Sequence, residues 1–355
     1  MLDEAKRREL KEAVKYNPKS VPNPILKAIR TMPYLYSFIC RTRRFLSKEI
    51  SNKEKKRIFE VNSTIFNPNG FEKIHINNLK KDGYTVIENL FNNELIDEID
   101  IKADKLFKEL KINDHGYNIT HGRIPTLKGF TYEEIETFEQ NITLKDPLLN
   151  IEKAVEICFN ESILKIVSNY LGYAPVSKPL IMRNFPQDEP IEASNFHKDS
   201  DSHDVVQVFV YLIDVDGKRG PLTFVPNSHN HDLKSCIPRT NYDLGVDELY
   251  GRVSDSEVEK VYPKKDWVTF YGKRATVVIA HVNGFHKGPN WDKFGSNENK
   301  YRDTIRINFR GISFEQKNTN EKNKQKIYKK DVAKMSHIQK IFLKNYEILE
   351  DGKQL

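Results

Sequence analysis

Cysteine is scarce in this chain: Cys40, Cys158 and Cys236 are the three among 355 residues. They form no Cys-x-x-Cys pair and no regular spacing. That excludes a disulfide framework and a zinc ribbon, and it suits a reducing compartment. Long apolar runs are missing too. No stretch of about 18 consecutive apolar residues occurs, so the sequence offers no membrane-spanning helix. Met1-Leu2-Asp3-Glu4-Ala5-Lys6 is charged with no apolar run behind it, unlike a secretory leader. No unit recurs at a period of about 20–50 residues, which excludes the common repeat folds. The expected location is cytoplasmic.

A net positive charge is absent from the middle of the chain. The net charge is +7, but residues 1–60 carry 16 Lys and Arg against 7 Asp and Glu, and residues 315–355 carry 10 against 6. The stretch between them is acidic, so a basic nucleic-acid groove through it is not expected. Three parts follow: a basic helical amino-terminal extension over 1–71, one enzyme domain over 72–314, and a charged linker with a carboxy-terminal helix over 315–355. Two readings of residues 25–46 stay open. Their aromatic and aliphatic residues with Arg41, Arg43 and Arg44 suit a peripheral membrane contact. They equally suit a helix that packs on the domain and extends its arginines to water. The second is favoured, because the apolar run is short and interrupted by Pro33.

What the chain does have is Asn195-Phe196-His197-Lys198-Asp199, with His286 far downstream. On an extended segment His197 and Asp199 point to one face. Two imidazoles and one carboxylate on one face of an ion leave the other face open, as in non-haem Fe(II) oxygenases. Alone, the spacing is a weak signal; the context strengthens it. Val205 to Ile213 is β-branched and aromatic and reads as a buried strand. Asp214-Val215-Asp216-Gly217 supplies turn chemistry. Gly220 to Pro226 is a second short strand, and Asn227-Ser228-His229 a loop.

The run from Phe196 to His229 resembles the core of the phytanoyl-CoA dioxygenase family of Fe(II)/2-oxoglutarate oxygenases. The likeness lies in the Phe-His-x-Asp opening, the strand closing in Leu212-Ile213-Asp214-Val215, and Val225-Pro226-Asn227-Ser228-His229. It continues through Val277 to His281 and Gly284-Phe285-His286-Lys287-Gly288-Pro289-Asn290, and begins upstream at Leu79 to Ile87. The resemblance implies a double-stranded β-helix, a cupin-like jelly-roll barrel of mixed α/β class with a mainly β core and buttressing helices. It implies His197, Asp199 and His286 as metal ligands, with His281 excluded. It implies Fe(II), 2-oxoglutarate and O2 as cofactors, and hydroxylation of a small-molecule, lipid or sugar substrate with release of succinate and CO2. A carboxylate at Asp199 argues against halogenation, because halogenating relatives carry a small residue there.

The family holds 2-oxoglutarate with an arginine shortly after the distal histidine. Here the interval is longer, and the assignment lies between Arg302 and Arg306. Arg302, Thr304, Arg306, Asn308 and Arg310 share one face of a strand; Ile305, Ile307 and Phe309 share the other. Arg302 leads because it begins the strand, and Thr304 adds a hydroxyl to the same carboxylate. A guanidinium suits that task because it donates two parallel bonds. Gln207, Tyr211, Arg183 and Asn184 are candidate pocket residues, and Gln207 a candidate cofactor contact. Arg123 and Lys198 would favour an anionic substrate if they face inward. The rival reading is a non-catalytic or Zn/Mn-binding jelly roll recruited to membranes by its basic amino-terminal region.

Overall fold

A computed structural model describes residues 63–109, 117–118, 131–138, 141–144, 146–186, 195–199, 205–229, 253–288, 301–310 and 324–351. Expectations for residues 1–60, Arg123 and 311–323 lie outside these.

The strands are β1 (Tyr84–Ile87), β2 (Tyr117–Asn118), β3 (Asn141–Leu144), β4 (Val176–Asn184), β5 (Val205–Tyr211), β6 (Thr223–Phe224), β7 (Val268–Thr269), β8 (Val277–His281), β9 (His286–Lys287), β10 (Arg302–Arg310), β11 (Gln325–Tyr328) and β12 (Tyr346–Leu349). The helices are α1 (Gly70–Asp82), α2 (Asn93–Glu109), α3 (Tyr132–Phe138), α4 (Pro147–Asn150), α5 (Ala154–Cys158), α6 (Glu161–Leu171), α7 (Asp255–Glu259), α8 (Lys329–Lys334) and α9 (His337–Ile341). Seven strands form one antiparallel sheet in the order β1-β8-β5-β10-β4-β3-β2. Three short strands form a second, β7-β6-β9. This is the expected mixed α/β fold with a mainly β core, built as a two-sheet jelly roll whose second sheet is small.

Alternation decides which face each side chain takes. On β5, Val206, Val208 and Val210 join the large core shared with the helices, as do Ile305, Ile307 and Phe309 of β10. The apolar face of β10 therefore packs outward, toward the helices. Phe224 of β6 packs instead with Tyr211, Phe270, Val278 and Ala280 in a smaller cluster between the two sheets.

The helices start and stop where local chemistry dictates. Asn69 caps α1 through a reciprocal box with Glu72, and Asn92 accepts from the Leu95 amide at the start of α2. Gly83 ends α1 at φ 83°, a left-handed turn, and a Cβ there would lie 2.5 Å from His229 Nδ1. The Gly83 carbonyl accepts from the His281 amide, so this turn delivers β1 to β8.

Four expectations are corrected. The apolar spacing of Leu149 to Leu171, with Gly172 as a stop, predicts two helical pieces; the structure has three, α4 to α6, the last ended by Gly172 at φ 81°. The strand read over Gly220 to Pro226 reduces to Thr223–Phe224, because Gly220 takes a left-handed conformation that breaks the ladder. Asp114, Gly116, Gly122, Pro125 and Gly129 make residues 111–148 read as loop-rich, yet the stretch contains α3 and also β3, paired with β4. The carboxy-terminal helix read over Val332 to Leu349 is broken. Met335 is extended, Ser336 caps a new short helix, and Tyr346–Leu349 pairs in parallel with Gln325–Tyr328.

Candidate metal centre

His197 and His286 face each other across an isolated antiparallel bridge outside the two sheets' main ladders. Each donates its backbone amide to the other's carbonyl, at 2.9 and 3.0 Å. This bridge puts residues 89 positions apart side by side, with ring centroids 4.2 Å apart. Asp199 completes the group. His197 Nε2 lies 3.8 Å from Asp199 Oδ1, and His286 Nε2 lies 3.7 Å from the same oxygen. One ligand-type atom from each of the three falls within 4.8 Å of the others, and among the described residues no other such group of His, Cys, Asp and Glu occurs.

Both rings are held in one orientation. His197 Nδ1 lies 3.0 Å from the Asn195 carbonyl, and His286 Nδ1 lies 3.0 Å from the Gly284 carbonyl. A carbonyl only accepts, so each Nδ1 carries a proton, and in the neutral ring each Nε2 then has the lone pair. Donors arranged this way suit a divalent metal, whose histidine ligands are oriented through the other ring nitrogen. Gly284 is required by close approach: a Cβ there would lie 2.6 Å from Phe224 Cζ. The carboxylate is oriented as well. Gln207 Nε2 donates to Asp199 Oδ2 at 2.8 Å, and an Arg306 nitrogen lies 3.7 Å from that oxygen. Oδ1 is thereby the oxygen left facing the two imidazoles.

Arg302 stands at the start of β10, buried on the same inner face as Arg306. It donates to the Gly220 carbonyl and, at 3.2 Å, to Asn184 Oδ1. Its Nε is buried with no partner, and among the described residues no carboxylate pairs with it. Burial pushes its pKa down; Tyr211 opposes that shift and Arg306 adds to it. A desolvated cation with neutral partners and an unused donor fits an anionic ligand such as a carboxylate. Thr304 is buried two residues on, on the same face. Tyr211 gives its hydroxyl proton to the Phe270 carbonyl at 2.8 Å, and burial raises its pKa to about 12.

Arg183 does not line this site. It lies on the helix side of β4, fully buried, with two nitrogens on Asp303 at 2.8 and 2.6 Å. Further bonds reach Tyr132 and Asp104, and Tyr301 stacks on it at 3.7 Å. Burial works against its charge, but the Asp303 and Tyr132 contacts outweigh that and hold it protonated. Asn184, one residue on, faces inward. Lys198 is committed to the Ser228 carbonyl at 2.8 Å, with its ammonium over the Phe285 ring. His281 is fully buried behind the site, bonded to Tyr170 and Asn283. His229 lies against it, ring centroids 5.6 Å apart.

Two antiparallel sheets around a His/Asp/His cluster present the two-His-one-carboxylate donor set that suits non-haem Fe(II). The model of the Phytanoyl-CoA dioxygenase (PhyH) family matches residues 79–290, and this chain belongs to that family. Its cofactors are those of the family: Fe(II), 2-oxoglutarate and O2. Solved structures similar to this chain include the 2-oxoglutarate-dependent epimerase SnoN from nogalamycin biosynthesis. It is 17% identical, with a TM-score of 0.43, covering 68% of this chain and 80% of that one. EctD from S. alaskensis is 16% identical with a TM-score of 0.43, covering 67% and 76%. AviO1 from Streptomyces viridochromogenes Tue57 is 16% identical with a TM-score of 0.43, covering 68% and 95%. A search of curated proteins returned no match.

Proposed function

We propose that this protein hydroxylates an unactivated C–H bond of a small-molecule, lipid or sugar substrate, converting 2-oxoglutarate and O2 to succinate and CO2. The observation that carries this reading is the convergence of His197 Nε2, His286 Nε2 and Asp199 Oδ1, each oriented by a hydrogen bond on its other side. In this reading those three atoms hold Fe(II), and Arg302 with Thr304 holds the distal carboxylate of 2-oxoglutarate. The bound iron supplies the activation of O2 and of the C–H bond.

The chain's own residues do the rest. The backbone bridge between His197 and His286 fixes the two imidazoles before any ligand arrives. Gln207 restrains Asp199 so that one oxygen serves the metal and the other stays with the protein. Asp199 also fills the position that halogenating relatives leave to a halide, which favours hydroxylation. Arg302 supplies a guanidinium already stripped of water, so little reorganisation accompanies carboxylate binding.

The test is anaerobic titration with Fe(II) and 2-oxoglutarate, followed by succinate release in air over a panel of candidate substrates. Substrate-dependent succinate above the uncoupled baseline supports the reading. A folded protein that binds neither iron nor 2-oxoglutarate would refute it.

A further inference from the structure

The segment carrying His197 and Asp199 belongs to neither sheet. Backbone bridges of Phe196 with Val253 and of His197 with His286 hold its first part, and bonds to the turn between β8 and β9 hold Asp199. The Asp199 amide donates to the Val282 carbonyl at 2.9 Å, and the Asp199 carbonyl accepts from Asn283 Nδ2 at 2.6 Å. The second of these is the end of a longer chain. Tyr170 on α6 places its hydroxyl 2.6 Å from His281 Nδ1, and His281 Nε2 lies 2.9 Å from Asn283 Oδ1.

The direction of every bond in this chain can be assigned. The Asp199 carbonyl only accepts, so the atom facing it is the Asn283 amide nitrogen. Asn283 Oδ1 then faces the Val205 amide, which donates at 3.0 Å, and His281 Nε2, which must also donate. In the neutral imidazole Nδ1 is therefore the acceptor, and the Tyr170 hydroxyl donates to it. Tyr170, His281, Asn283 and Asp199 form one unidirectional series, in which each bond polarises the next. His281 is fully buried and Asn283 nearly so, which keeps water from competing for these bonds.

We propose that Tyr170, His281 and Asn283 are a positioning relay for the metal centre, reaching from helix α6 to the main chain of Asp199. The relay rests on the assignment of Asp199 as a metal ligand. It gives His281 a role that is not ligation: it sets the Asn283 amide, and Asn283 sets where the Asp199 carboxylate begins. A bond that merely cements a helix to a sheet would stabilise the fold and leave the metal site unchanged. A relay changes the site itself.

The experiment is titration of the full chain with Co(II) under anaerobic conditions, read by d–d absorption, beside calorimetric melting of the metal-free protein. Asn283→Asp keeps the side-chain size and replaces the donating amide by an acceptor facing the Asp199 carbonyl. Expected is a Co(II) affinity weakened about 10- to 100-fold with an altered band shape, at unchanged stoichiometry. Tyr170→Phe removes one oxygen at the far end and should weaken affinity about 2- to 10-fold. Wild-type affinity and spectrum in either folded variant overturns the relay, even if its melting temperature falls. Should Asn283→Asp not fold, Tyr170→Phe decides alone by the same criterion. Asp199→Ala separates the two layers: if it still binds Co(II) tightly, the ligand assignment has failed. If it does not bind while both relay variants do, only the relay has failed.

Discussion

Replacing Arg302 by methionine separates two roles that a buried arginine can play. A structural arginine stabilises the empty protein; a ligand anchor burdens it. Arg302 is 8% exposed and, among the described residues, bonds only to Gly220 and Asn184 and leaves Nε without a partner. Burying an unpaired ion costs several kcal/mol, and Arg302→Met relieves that. Against it, the Gly220 carbonyl and Asn184 Oδ1 lose their donor, at about 1–3 kcal/mol each. These offset, so the cosubstrate-free stability should move by no more than about 2 kcal/mol, against about 3–5 for breaking a buried ion pair. The cosubstrate-bound state differs. Removing one partner of a desolvated charge pair costs about 2–5 kcal/mol, or roughly 30- to 3,000-fold in affinity. The assay is calorimetric melting with Mn(II), with and without 2-oxoglutarate. At a hundred times Kd the wild type should gain about 2.7 kcal/mol, which is about 5–10 °C for a domain of this size. At the same concentration Arg302→Met should gain under about 1 kcal/mol. Arg302→Lys should recover part, since an ammonium lacks the paired fork. If Arg306→Met loses the shift and Arg302→Met keeps it, Arg306 is the anchor and Thr304 loses its role. A fall of about 4 kcal/mol in the cosubstrate-free Arg302→Met protein would make Arg302 a structural residue.

The convergence of His197, Asp199 and His286 was legible because its signal is local. His197 and Asp199 are two apart on extended backbone, and His286 sits in a recognisable tract. The inner and outer faces of β10 were legible too, since alternation needs only the strand's own residues. Their supports were not. Gln207 reads as one polar position on an apolar strand; that it reaches Asp199 depends on how residues 195–199 fold over β5. Asn283 gives no signal at all, because its amide could serve any neighbour in a turn. Arg183 beside Asn184 suggested a pocket residue, and only the register of β4 against β10 assigns it to the helix side, opposite Asp303. The carboxy-terminal stripe of Met335, Ile338, Ile341 and Phe342 is periodic enough for one helix. What breaks it is tertiary: Tyr346–Leu349 is drawn into a parallel pair with Gln325–Tyr328.

Three further outcomes are expected. His197→Ala, Asp199→Ala and His286→Ala should each abolish tight binding of about one Fe(II) per chain in anaerobic titration, while His281→Ala should keep that stoichiometry; full activity in any of the first three would refute the site. Arg183→Met should cost about 3–5 kcal/mol in urea unfolding by stranding the buried Asp303 carboxylate, and should leave 2-oxoglutarate affinity of the folded protein unchanged. Asp100→Asn tests the edge of the same charge cluster through pH. Burial, with Asp303 adding, raises the Asp100 pKa to about 7, and its buried Oδ1 has no hydrogen-bond partner among the described residues. The folded chain therefore holds a proton at Asp100 that the unfolded chain, with an ordinary value of about 3.9, has released. Between about pH 4 and 7 the folded state binds more protons, so wild-type stability should fall as pH rises through that window. A side-chain amide at this position does not titrate, so the Asp100→Asn protein should lose this slope and exceed wild type at about pH 8. The shift sets a ceiling of about 4 kcal/mol; partial exposure of the carboxylate reduces the expected gain to about 1–2 kcal/mol. Parallel stability curves for the two proteins from about pH 4.5 to 8 would show that Asp100 is ionised alike in both states.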